Sequence, residues 1–184
     1  AIFMTINYRL PGAVAVIALM GQVAGSIAAI TGFFGFLESF TLTIPGIAGI
    51  VMAIGMGVDA NILTAERIQE ELNRGKTLNG AIESGFKRGF TAIFDGNLTV
   101  IFVAIILMGA FGPPDSLFAK LLSPVFFMFG PSTAGAIYSF GYTLLVGVIF
   151  NFVMGVTCSR LMVMALSKTK KFSNKWLYGG ENNA

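Results

Sequence analysis

Two carboxylates lie in stretches of sequence that are otherwise apolar. Asp59 follows an uncharged run that extends back to Ile44, and Asp95 lies shortly after Phe90, where another apolar run begins. A carboxylate held away from water takes up a proton more readily, and a second carboxylate nearby strengthens that tendency. We therefore predict that Asp59 and Asp95 form a proton relay. The alternative to a proton relay is a structural role, in which both acids stay neutral and only form hydrogen bonds between helices.

Uncharged polar residues accompany both acids. Asn61 follows Asp59, and Asn97 and Thr99 follow Asp95, while Asn151 lies in a later apolar segment. Because an amide or hydroxyl in an apolar environment needs a hydrogen-bond partner, we expect these four residues to form a supporting polar site.

The composition indicates that lipid surrounds most of the chain. Of 184 residues, 55% are hydrophobic and only 11% are charged, against roughly 25% charged in a soluble domain. The sequence has no histidine and one cysteine, Cys158, so neither a metal site of His and Cys ligands nor an internal disulfide is expected. The phosphate-binding pattern GxxxxGK[ST] is missing too. We predict no cofactor, no metal and no enzymatic activity.

Four segments are long and apolar enough to span a bilayer, which takes about 20 residues. They cover about 13–32, 44–63, 90–111 and 136–166, and residues 1–8 resemble the end of an earlier span. The abrupt apolar start suggests a fragment of a longer protein. The expected fold is an all-α integral membrane protein, a polytopic helix bundle over residues 1–166 with about four complete spans.

Basic residues predict the orientation, because cytoplasmic loops are enriched in Lys and Arg. They concentrate in the 66–89 loop and the 167–184 tail, whereas the 33–43 loop has none and the 112–135 insertion has only Lys120. This explains the net charge of +3 without a nucleic-acid partner. With loop and tail in the cytoplasm, Asp59 lies about 22 Å into a core about 30 Å thick, and Asp95 about 7–8 Å from its inner edge. The two acids should therefore lie at similar depth.

Two connecting segments are themselves apolar in part. In the 66–89 loop, Ile82, Phe86 and Phe90 recur every four residues, which predicts an amphipathic helix at the membrane interface. Residues 117–129 are apolar but too short to span, so we expect them to lie at the outer interface or to re-enter the membrane.

Small residues recur at four-residue spacing in two spans, a pattern that lets helix backbones approach closely in lipid. The second span has Gly49, Ala53 and Gly57. The last has a stripe of six small or polar residues, which comprises Ser139, Thr143, Gly147, Asn151, Gly155 and Ser159. We expect these faces to pack helices together.

Four stretches resemble a known family in order and spacing. "TIPGIAGIVMAIGMGVDANILTAERIQEEL" at 43–72 is the most specific, and "NYRLPG", "GFKRGFTAIFDGNLT" and "SFGYTLLVGVIFNFVMGVTCSRLM" accompany it. Together they resemble the SecD/SecF family of protein-export membrane subunits, within the resistance-nodulation-division superfamily, and specifically the later spans of SecD. The 112–135 insertion is longer than the short glycine-rich turn typical of that family.

The resemblance implies an auxiliary subunit of the Sec export machinery in the bacterial cytoplasmic membrane. It implies a SecF-like subunit, the SecYEG channel, a preprotein substrate and the lipid bilayer as partners. It also implies that Asp59 takes part in proton transport driven by the proton-motive force, with Asp95, Asn97 and Thr99 in the next span's polar motif. The first span and the large extracytoplasmic domain of SecD would be missing from this chain.

Two other functions fit parts of the sequence. A different proton-coupled transporter of the same superfamily would share the buried acids. An intramembrane aspartyl protease would use two acids on adjacent helices, but its G-x-G-D pattern differs from the "GMGVD" that ends at Asp59.

Overall fold

The computed structural model describes residues 2–33, 43–113, 117–126, 135–169 and 172–180, and these residues contain helices and no strands. The six α-helices are α1 (Ile2–Ile30), α2 (Ile44–Asn73), α3 (Leu78–Phe111), α4 (Leu117–Phe126), α5 (Gly135–Phe150) and α6 (Ser159–Ser167). A π-helical segment, Asn151–Cys158, joins α5 to α6, so that Gly135–Ser167 is one continuous helical rod.

Four of these helical rods are long and apolar enough to cross a membrane: α1, α2, α3 and Gly135–Ser167. This confirms the predicted polytopic all-α fold. Helix α1 is interrupted at Arg9, whose φ of 49° is not helical. A Cβ at Gly12 would overlap the carbonyl of Met4, so the residues before Arg9 fold back along those after it. Residues 2–8 thus form a separate helical segment, which packs against the part of α1 that follows Arg9.

The connection between the second and third spans differs from the expected 66–89 loop. Helix α2 continues to Asn73 and α3 begins at Leu78, which leaves only residues 74–77 outside a helix. The expected interfacial helix is also wrong, because Ile82 and Phe86 are buried in the protein core. The apolar face of α3 has a protein partner here, since Gly85 lets α3 approach the backbone of Ile68.

Residue contacts divide the chain into two compact units. The first unit comprises Ala1–Gln22, Met56–Asp95 and Asn151–Ala184. Its apolar core joins α1, α2, α3, α6 and the C-terminal tail, and consists of Val14, Ile68, Leu72, Leu78, Ala81, Ile82, Phe86, Val163 and Tyr178. Burial of this many large apolar side chains makes the core the main source of stability in the unit.

Residues 172–180 of the C-terminal tail are a structured part of the first unit. Lys175–Tyr178 form a 3₁₀ turn that begins at Asn174, whose side-chain oxygen accepts a hydrogen bond from the amide of Trp176. The guanidinium of Arg9 lies 3.9 Å from the centre of the Trp176 ring, a cation–π contact, and it also donates to the Trp176 carbonyl. Tyr178 then inserts into the core described above.

The second unit comprises Val23–Gly55 and Gly96–Phe150. Its apolar cluster contains Ala29, Ile30, Ile50 and Val146. Helix α4 packs back on α3, because a Cβ at Gly109 would lie 3.1 Å from the Cβ of Leu122. Residues 34–42, 114–116 and 127–134 lie outside the described residues, and with them most of the 33–43 loop and much of the 112–135 insertion.

Candidate proton-transfer site

Helices α2 and α3 pack through a seam of small contacts in the first unit. A Cβ at Gly85 would lie 2.8 Å from the backbone nitrogen of Ile68, and one at Gly89 would lie 3.4 Å from the Cα of Thr64. One turn nearer the N-terminus of α2 and one turn nearer the C-terminus of α3, Ala60 and Ile93 belong to the same buried cluster. The contacts advance along α2 as they recede along α3, so the helices are antiparallel.

This register places the two acids at the same level along the seam. Asp59 immediately precedes Ala60, and Asp95 follows Ile93 by half a turn. The two acids are therefore level with each other along this pair of helices, and their depth in the membrane stays a prediction.

Both acids, however, lie on the outside of the chain. Asp59 and Asp95 are exposed, whereas Ala60 and Ile93 face the seam. A carboxylate at this depth normally faces the inside of a bundle or a water-filled cavity, and within this chain neither acid faces the inside. The reason is helical geometry: the buried face of α2 is already filled by Gly57, Ala60, Asn61 and Thr64, so Asp59 points away from it.

Three of the four supporting polar residues, Asn61, Asn97 and Asn151, are buried. The Asn61 amide donates a 2.8 Å hydrogen bond to the carbonyl of Gly57, and Asn151 is completely buried. Gly155 brings these amides together, because a Cβ there would lie 2.5 Å from Oδ1 of Asn151 and 3.6 Å from Nδ2 of Asn61. The polar groups thus form two sets, with uncharged amides in the interior and carboxylates on the surface.

Sequence reasoning missed a further interior amide, Gln22 on α1. It is 1% exposed, and a Cβ at Gly57 would overlap its side-chain oxygen. Gly57, predicted to serve helix packing, therefore makes room for Gln22. The sequence could have predicted this contact, because an amide within an apolar membrane span needs a polar partner on another helix.

The π-helical segment explains why the small-residue stripe of the last span stays on one face. In an α-helix four residues rotate about 400° around the helix axis, which is about 40° more than one full turn. Six positions at this spacing therefore drift by roughly 200° around the helix. A π-turn is wider and advances each residue by a smaller angle, which reverses that drift over Asn151–Cys158. All six stripe residues are buried, from Ser139 to Ser159. Such segments often occur at functional sites in helices.

The remaining site residues lie in the second unit. Asn97 is buried, whereas Thr99 is exposed. Gly49 and Ala53 face the last span, because a Cβ at Gly49 would lie 3.2 Å from Cβ of Thr143 and one at Gly147 would lie 3.6 Å from Cα of Ala53. The order of these contacts rises along both helices, so α2 and α5 run parallel.

A second polar cluster, also missed by sequence reasoning, lies at the α2–α3 connection. The carboxylate of Glu71 is 2% exposed and forms ion pairs with Arg74 at 2.8 Å, Lys76 at 2.5 Å and Arg88 at 2.8 Å. Three long cationic side chains cover the acid, which explains its burial at the edge of the protein. Periodicity alone cannot reveal this cluster, because its members come from two helices and the turn between them.

Tyr178 is the titratable group most affected by the fold outside the spans. Its insertion into the core removes the phenol from water, which raises its pKa to about 12. The tail therefore docks with the phenol neutral. Among the described residues, no three His, Cys, Asp or Glu side chains cluster closely enough to hold a metal ion.

Comparison with known proteins identifies the family. Residues 1–169 match the family model described as "Protein export membrane protein SecD/SecF, C-terminal". This chain belongs to the SecD/SecF family. Its SecD-like sequence and four apolar spans make it a multi-pass protein of the bacterial cytoplasmic membrane, corresponding to the C-terminal membrane part of SecD.

Individual relatives agree with that assignment. The chain is 38% identical to the protein translocase subunit SecD of Synechocystis sp. over 96% of its length, and this match covers 32% of the relative. It is 34% identical to the protein translocase subunit SecDF of Bacillus subtilis, over 98% of this chain and 21% of the relative. A crystal structure of SecDF in a super-membrane-facing form superposes with a TM-score of 0.71 at 28% identity, covering 90% of this chain and 19% of that one. The chain thus spans about a third or less of these relatives.

Proposed function

We propose that this chain is the proton-handling membrane part of a SecD-type subunit that helps preproteins cross the cytoplasmic membrane through the SecYEG channel. One observation carries the proposal: Asp59 and Asp95 lie level with one another on adjacent helices and are both exposed on the chain's surface. Relatives named as translocase subunits support the export function over another transporter or an intramembrane protease. The proposal assigns no covalent chemistry to the chain.

The exposed acids require a covering partner. A charged side chain within a lipid-facing part of a membrane helix is costly, so such residues normally face protein or a water-filled cavity. Since this chain leaves Asp59 and Asp95 exposed, we infer that protein from outside this chain covers them. A SecF-like subunit is the natural candidate, because the family model describes SecD and SecF together and one relative is named as a combined SecDF subunit.

The relay follows from the position of the two acids. When Asp59 takes up a proton its charge disappears, which changes its hydrogen bonds to the covering partner and shifts the balance between two packings of the bundle. A proton that moves down the membrane potential releases about 2.3 kcal/mol per 100 mV, enough to bias two nearly equal states. Asp95, at the same level, passes the proton on or shares it.

The interior amides serve this relay as a polar hinge. Asn61 and Asn151 meet at Gly155, which lies within the π-helical segment Asn151–Cys158, and such segments often occur at functional sites. Asn97 and Thr99 follow Asp95 on α3 by two and four residues, and we assign them to the same polar motif of that span.

Photo-crosslinking in the full-length protein tests the covering partner. A crosslinker at Phe94, which is 43% exposed beside Asp95, should capture the SecF-like subunit. A crosslinker at Met20, exposed on α1, serves as the control and should give a much weaker product with that subunit. If Phe94 captures only lipid while the export complex is intact, the acids have no such covering partner.

A further inference from the structure

A cavity of about 490 Å³ opens beside the α2–α3 connection. It is bounded by the ends of both helices and the turn between them, and is lined by Glu71, Arg74, Lys76, Ser84, Lys87, Arg88 and Thr91. The relay proposed above uses none of these residues.

The lining is strongly positive. It holds four cations and one carboxylate, which leaves three positive charges in excess. Arg74 and Arg88 each use a single nitrogen, Nη1, to bind Glu71, so the other N–H groups of their guanidinium forks remain to bind a ligand. An ion-pair network built only to neutralise Glu71 has no use for this surplus, because the excess cations repel one another.

The donor types match a phosphate group. Guanidinium forks and ammonium groups bind phosphate oxygens, and the hydroxyls of Ser84 and Thr91 supply further donors on the same wall of the cavity. Glu71 lies beneath its three cations, where it holds their side chains in position. The cavity is thus arranged for an anion with several oxygens.

The position of the cavity selects the source of that phosphate. Thr91 lies at the start of the apolar part of α3, and the neighbouring Phe90 is 46% exposed. Polar donors therefore lie directly beside the start of the apolar run of α3, where the sequence predicts the inner edge of the bilayer core. Basic pockets between membrane helices on the cytoplasmic side are known to hold anionic headgroups.

We propose that this cavity binds the phosphate of an anionic phospholipid in the cytoplasmic leaflet, with the acyl chains along Phe90. The site goes beyond the proton relay and does not depend on it. Its occupant ties the α2–α3 hairpin to the inner membrane surface.

Native mass spectrometry of the purified full-length protein tests this proposal. The delipidated protein is titrated with phosphatidylglycerol or with phosphatidylcholine, and retained lipid is counted. The wild type should retain phosphatidylglycerol selectively. The variant K87Q/R88Q should bind it at least about tenfold more weakly, since each basic residue near an anionic surface contributes roughly fivefold. The control R160Q/K168Q removes the same charges from exposed positions outside the cavity and should match the wild type.

Two further measurements make the result decisive. If K87Q/R88Q proves unstable, K87Q alone replaces it, because Lys87 takes no part in the ion pairs of Glu71. Inorganic phosphate at the same concentration should not displace the lipid. Equal lipid retention by the cavity variant and the control would overturn the site, and efficient displacement by inorganic phosphate would overturn its assignment to lipid.

Discussion

Gly89 lies directly against Thr64, where a Cβ on the glycine would be 3.2 Å from the threonine hydroxyl and 3.4 Å from its Cα. The contact fixes the separation of α2 and α3 just to one side of Asp59 and Asp95. Since the acids are carried on the outer edges of this pair of helices, their spacing depends on a seam that contains neither of them.

The close packing of α2 against α3 predicts that a methyl group added at this seam lowers the stability of the protein. In Gly85→Ala the new Cβ would lie 2.6 Å from Cγ1 and 2.8 Å from the backbone nitrogen of Ile68, so the helices must separate. Overpacking of this kind costs roughly 1–3 kcal/mol. Thermal denaturation in detergent should therefore show a lower Tm for this variant.

Gly96→Ala is the matched control on the same helix. Nothing lies within 4 Å of a Cβ at Gly96, so the substitution should gain the helix preference of alanine, roughly 0.5–1 kcal/mol, without a clash. A Tm that shifts equally in both variants would mean that the seam is loosely packed.

The buried acid at the α2–α3 connection gives a second prediction. Glu71→Gln removes the carboxylate that neutralises Arg74, Lys76 and Arg88 and leaves the three cations to repel one another. The turn over residues 74–77 should open more often, and trypsin should cleave there faster. Glu83→Gln, at an exposed position of α3, is the control and should be cleaved like the wild type.

The C-terminal tail gives a third prediction, which Trp176 reports because it is the only tryptophan. Tyr178→Ala empties a position in the apolar core and should cost docking about 3 kcal/mol, so that acrylamide quenches Trp176 more strongly. Tyr178→Phe should leave docking unchanged or stronger, because the phenol oxygen is buried without a hydrogen-bond partner among the described residues. Equal quenching in both variants would show that the tail is held by Arg9 and Trp176 alone.

Tail docking should also depend on pH in a defined direction. Burial raises the pKa of Tyr178 from 10.0 to about 12, so the docked state holds its proton more tightly than the free tail. Docking should be constant below about pH 10 and weaken between there and pH 12, where the free phenol ionises first. Trp176 emission recorded across this range should shift in the wild type. Tyr178→Phe lacks the ionising group, so a shift of the same size in that variant would contradict the explanation.

Sequence patterns alone predicted the four long apolar helices. Apolar runs of about 20 residues predict spans directly, and the spacing of Asp59 from Ile44 and of Asp95 from Phe90 then predicts their depth. The small residues of α2 likewise predicted close packing, and Gly49 and Ala53 face the last span.

The burial of individual side chains could not be predicted in the same way, because it depends on which helix faces pack together. Asp59 looked like an interior residue because depth in the membrane says nothing about direction around the helix. The buried Tyr178 and Glu71 were missed because their partners are distant in sequence or lie across a turn. The π-helical segment was hidden for a different reason: an unbroken four-residue stripe can arise from a widened turn as well as from an ordinary helix.

Proton-driven export by the Asp59→Asn variant of the full-length protein tests the central claim most directly. Preprotein translocation is measured in membrane vesicles with and without a proton-motive force, beside the wild type and Glu83→Gln, an equal change of acid to amide at an exposed position outside the site. We predict that Asp59→Asn loses the stimulation by the proton-motive force, while Glu83→Gln and the wild type keep it. Full stimulation in Asp59→Asn would contradict the assignment of Asp59 as a proton carrier.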